Sequence, residues 1–88
     1  MTMFAVMRHF ASPVTQPPEQ GVEDVNRELG VDWICSYVAE DGTESVSIYE
    51  APNAELLRQH GLFVGLPVHQ VIPVRHVLPD LVQRNPRL

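Results

Sequence analysis

Residues 31–51 read VDWICSYVAEDGTESVSIYEA, and the fold turns on this stretch. On either side of Asp41-Gly42, residues alternate at the two-residue period of a half-buried strand. Asp-Gly accepts the positive φ that a tight reversal needs. Residues 31–39 and 44–51 are therefore expected to form an antiparallel hairpin around residues 40–43. In the first arm Val31, Trp33, Cys35 and Tyr37 share one face, and Ile34, Ser36 and Val38 the other. In the second, Val46, Ile48 and Glu50 oppose Ser45, Ser47 and Tyr49.

Upstream, residues 3–10 alternate again, with Phe4, Val6 and Phe10 against Met3, Ala5, Met7 and His9. Pro13, Pro17 and Pro18 make residues 11–18 a loop. Over residues 19–29 the period changes. Val22, Val25 and Leu29 mark the buried stripe of a helix, with Glu19, Glu23, Asp24, Arg27 and Glu28 on solvated faces and Gly30 as its stop. Downstream, Pro52 ends the hairpin and Asn53 caps a second helix. That helix runs to about residue 63 on a stripe of Leu56, Leu57, His60, Phe63 and Val64, and Gly65-Leu66-Pro67 ends it. Residues 68–78 read as a fourth strand, with Pro73 marking an edge or a bulge. The chain divides into one domain, 1–78, and a C-terminal tail, 79–88.

The order β-α-β-β-α-β predicts an α+β, ferredoxin-like domain: a four-stranded antiparallel sheet with both helices on one face. The helices are expected to cover Phe4, Val6, Ile34, Val38, Val46 and Ile48. The open face then carries Met3, Ala5, Met7, His9, Trp33, Cys35, Tyr37, Ser47 and Tyr49, too apolar and aromatic to stay in water. A homodimer packed sheet toward sheet, a dimeric α+β barrel-type assembly with a pocket between the sheets, is the expected arrangement.

Composition narrows the function. The 88 residues carry a net charge of −5, which argues against a nucleic-acid partner. There is no Lys, which excludes Schiff-base and P-loop lysine chemistry. With Cys35 as the one cysteine, no intrachain disulfide forms. No signal peptide and no apolar run of spanning length are evident, so no membrane is expected and the cytoplasm is the expected compartment. No G-x-G-x-x-G, C-x-x-C, H-E-x-x-H or G-x-S-x-G occurs, and no nucleotide cofactor is expected.

Chemistry-bearing side chains concentrate on the expected open face. His9 and Cys35, joined by His76 from the fourth strand and with His60 of the second helix as a further candidate, form the candidate ligand set for a nickel-, zinc- or copper-like ion. Tyr37, Tyr49 and His9 are the candidate acids or bases of a cofactor-free enzyme, and Trp33, Tyr37, Ser47 and Tyr49 its pocket for a small-molecule ligand. The third reading is an interface with polar anchors and no site. His60 on a helix stripe also reads as a packed core histidine, and Cys35 as packing. Arg8 and Glu50 are candidates for a buried ion pair. Glu40, Asp41 and Glu44 read as a solvated turn.

Trp33-Ile34-Cys35-Ser36-Tyr37-Val38, Glu40-Asp41-Gly42, Ile48-Tyr49-Glu50-Ala51-Pro52-Asn53, His60 and Gly65-Leu66-Pro67, with the opening Phe4-x-Val6-x-Arg8-x-Phe10, resemble small bacterial ferredoxin-fold proteins. Most of that family has no assigned function, and one branch is described as nickel-binding. The resemblance spans roughly residues 3–77. It implies a ferredoxin-like dimer and a nickel or other transition-metal site. Two positions depart from it: Cys35 stands where many relatives have histidine, and Ser47 where cysteine is common.

Overall fold

The computed structural model describes residues 1–16, 19 and 21–79; the tail expected at 79–88 lies outside them except for its first residue. The chain runs β1 (Thr2–His9), α1 (Glu23–Leu29), β2 (Asp32–Val38), β3 (Glu44–Ala51), α2 (Ala54–Val64) and β4 (Gln70–Pro73). The four strands form one antiparallel sheet in the order β2-β3-β1-β4, the ferredoxin-like arrangement.

The hairpin forms as its turn chemistry dictates. The exposed Asp41 carboxylate accepts from Thr43 N–H at 3.0 Å and Thr43 Oγ1 at 2.8 Å, and these bonds hold its carboxyl below the usual range. Asn53 caps α2 by accepting from Leu56 N–H at 2.8 Å. At the other end Gly65 adopts φ 76°, and Leu66 N–H reaches back to Gly61 O at 2.8 Å, closing the helix in a left-handed cap. Gly61 is needed for another reason: a Cβ there would meet Val68 at 2.5 Å, so glycine lets α2 lie against the segment entering β4.

In-register neighbours of an antiparallel pair share a face. One set of rows is Trp33–Tyr49–Phe4, Ser36–Ser47–Val6 and Ser45–Arg8. This set is covered by the helices, and its apolar members join Val31, Ala51, Leu57 and Val71 in the core. The other set, Cys35–Ile48–Ala5–Ile72 and Tyr37–Val46–Met7–Gln70, forms the open face.

Three expectations are corrected. Ser47 and Tyr49 face the helices, and Val46 and Ile48 lie on the open face, the reverse of the expected phase for β3. Trp33 also faces the helices, because the β2–β3 register shifts between Trp33 and Cys35. The extra residue, Ile34, is 50% exposed, and Cys35 and Tyr37 return to the open face beyond it. The first helix begins at Glu23 rather than at residue 19, and Glu19 is wholly buried instead of solvated.

Candidate functional site

Two places gather polar chemistry, one on each side of the sheet. On the open face a groove of about 670 Å³ lies at the end of the sheet where β1 finishes and β3 begins. The Tyr37–Val46–Met7 row forms one wall; Ala39, Glu44 and His9 form the other. Its floor is backbone of the intervening Val38–Ser45–Arg8 row, whose side chains turn to the helix side. His69 closes the β4 end, positioned by its N–H to Met7 O at 2.8 Å. His9, Tyr37, Glu44 and His69 are all exposed.

The second place is a buried network between sheet and helices. Glu19 accepts from Tyr49 Oη at 2.9 Å and from Ser36 Oγ at 2.8 Å, and its Oε2 lies 3.3 Å from Arg8 Nη2. Arg8 also donates to Tyr49 Oη at 3.3 Å and to Pro67 O at 3.1 Å. Because Ser36 gives its single proton to Glu19, it accepts from Trp33 Nε1 at 2.9 Å and from Ser47 at 2.7 Å. Burial by itself would raise the Glu19 pKa. The hydroxyls of Ser47 and Ser36, the Arg8 charge and Tyr49 outweigh it, so the carboxyl titrates below its usual range. Tyr49 is pushed well above the usual phenol range by burial and by the Glu19 charge.

His60 lies beside this network, fully buried, with its ring edge-on to Tyr49 at 5.6 Å between centroids. Its Nε2 is 2.5 Å from Asn26 Oδ1 on α1, so Nε2 carries the proton and donates. Desolvation, aided by Arg8 and opposed by Glu19, lowers its pKa and keeps the ring neutral.

The sequence candidates are dispersed. His9 and Tyr37 meet in the groove. Cys35, half-buried on edge strand β2, lies two strands across from β1 and about 13 Å along it from His9, at the usual rise of a strand. His76 follows β4, which runs antiparallel to β1, and so lies toward the opposite end of the sheet from His9. His60, Trp33, Ser47 and Tyr49 are on the helix side. Arg8 pairs with Glu19, not with Glu50, which lies opposite Met3. Among the described residues, no three His, Cys, Asp or Glu side chains gather as a metal ion requires. Sequence reading missed His69 and Glu19. Glu44, expected at the edge of the turn and the start of the third strand, is brought beside His9 by the β1–β3 pairing.

A family model described as "Nickel responsive protein SCO4226-like" matches residues 6–74. The fold is similar to the crystal structure of SCO4226 from Streptomyces coelicolor A3(2), with a TM-score of 0.74 and 14% sequence identity, covering 86% of this chain and 99% of that one. No curated protein matches the sequence. The match over most of the chain, agreeing with the fold, establishes that it belongs to the SCO4226-like family of nickel responsive proteins.

Proposed function

We propose that this protein is a homodimer that binds a divalent transition metal, nickel foremost, in the open-face groove, with ligands from both copies. The observation that carries this reading is that His9, His69 and Glu44 all line one exposed groove, without coming together as a complete set. Imidazole and carboxylate suit nickel, and both histidines are exposed to an entering ion. The described residues of one chain fall short of a full ligand set, and in this reading a second copy facing the same groove supplies the remainder. Half-buried Met7 and Val46 in the groove wall, with Ile48 and Ile72 of the adjacent row, give that copy an apolar surface to cover. The family description supports the choice of metal. The cytoplasm remains the expected compartment, and among the described residues no helix is long and apolar enough to cross a membrane.

Native mass spectrometry with and without nickel tests the reading. Two chains with bound metal are expected, with loss of metal in His9→Ala and in His69→Ala. A dimer that takes no metal would transfer the groove to the second reading, acid–base chemistry on a small organic molecule. In that case Tyr37 and His9 are the working groups, since Tyr49 is enclosed on the other side of the sheet. A monomer that binds neither would remove both.

A further inference from the structure

The buried network has the makeup of a receptor. Three donors from three strands, Arg8 of β1, Ser36 of β2 and Tyr49 of β3, converge on a single carboxylate. That carboxylate arrives on Glu19, outside any helix or strand. The donors are held independently of it. Arg8 is fixed by Pro67 O, Ser36 by Trp33 and Ser47, and Tyr49 by Arg8 and the edge of His60.

Glu19 also uses the guanidinium incompletely. The edge of Arg8 formed by Nε and Nη2 is the fork that grips both oxygens of a carboxylate. Glu19 touches it through Nη2 alone, at 3.3 Å. Among the described residues Nε has no hydrogen-bond partner, although Arg8 is 2% exposed. Ser45, directly across the β1–β3 pair from Arg8 and equally enclosed, has an unpartnered Oγ as well. A half-used fork with one buried hydroxyl beside it is what a carboxylate free of a backbone tether would satisfy more fully.

We infer that Arg8, Tyr49 and Ser36 form a binding site for a small aliphatic monocarboxylate, of acetate or propionate size, which the chain fills with its own Glu19. A tethered group competes at high effective concentration, so the native protein responds weakly to free carboxylate. Removing the tethered carboxylate while keeping its donors unmasks the site.

The test is chemical rescue. Glu19→Ala is titrated with sodium acetate and, separately, with sodium chloride at equal ionic strength, following the thermal midpoint. A saturable rise in acetate and none in chloride is expected, abolished when Arg8→Met is added. A variant unfolded in chloride and folded in acetate gives the same answer. Equal behaviour in the two salts overturns the inference. Glu19→Ser, which opens the site and leaves a small polar side chain, provides the second measurement if Glu19→Ala stays unfolded throughout. Acetate is expected to shift the NMR signals of Tyr49 and Ser36 in this variant at lower concentration than in the native protein. Signals that do not move in either protein also overturn it.

Discussion

Tyr37 and Tyr49 sit on strands that pair with each other, yet Tyr37 is 68% exposed and Tyr49 is not exposed at all. His9 and His60 divide the same way, one at an open strand end and one sealed between layers. On the helix side Glu19, Ser36, Tyr49 and His60 are each held by other side chains, so their orientation is fixed. On the open side the same residue types stand free, and their chemistry is available to whatever docks there. Enclosure, more than residue type, separates a polar group that builds the molecule from one that can bind.

The sharpest way to break this contrast is at Glu19. Glu19→Ala leaves Arg8 buried without its counter-charge and should cost about 3–5 kcal/mol in urea unfolding. Tyr37→Ala on the open face should fall within about 0.5 kcal/mol of the parent. Similar costs for the two would erase the distinction.

The next effect is in pH. His60 has a folded pKa below its unfolded value near 6.5, so the unfolded chain takes up a proton first as pH falls. Stability from this residue is complete above pH 6.5 and is lost as pH drops toward the folded pKa. Glu19, also lowered, stabilises the fold above about pH 4.5 and loses that contribution as pH falls through its folded pKa. Urea midpoints should therefore decline in two stages on acidification, each with a slope of at most about 1.4 kcal/mol per pH unit. His60→Gln should flatten the upper stage only; an unchanged upper stage would assign it elsewhere.

Asn53→Ala should cost about 1 kcal/mol by removing the α2 cap. The smallest change in folding stability is expected from Ile48→Lys on the open face. Its signature is instead in sedimentation velocity, where it should shift the protein toward monomer. Loss of folding without any change in association would place Ile48 among the core residues.

Much of this was legible in the sequence. The bounds of β3, the Asp41-Gly42 turn, the Asn53 cap and the faces of β1 all follow from local chemistry. Alternation divides β3 into two faces but does not say which one is inward. Val46 and Ile48 look like core, and only the distant partners Arg8 and Glu19 explain why Ser47 and Tyr49 are enclosed instead. Glu19 continues the helical pattern of charged residues, so nothing local separates it from its solvated neighbours. The register shift at Ile34 leaves no compositional mark, so alternation alone puts Trp33 on the face of Cys35. His69 follows Pro67 in a stretch whose register rests on pairing with β1, and the groove it lines exists only once that pairing is made.

The irregularity at Ile34 also bears on how the sheet can grow. It interrupts the hydrogen-bonding edge of β2, and a displaced residue there spoils the template that an incoming strand would need. At the far margin β4 is four residues long and ends at Pro73, which has no N–H to offer. Neither margin therefore favours the strand-by-strand addition that leads to open-ended fibrils. If copies associate as proposed, the broad face is where two surfaces can meet once and close.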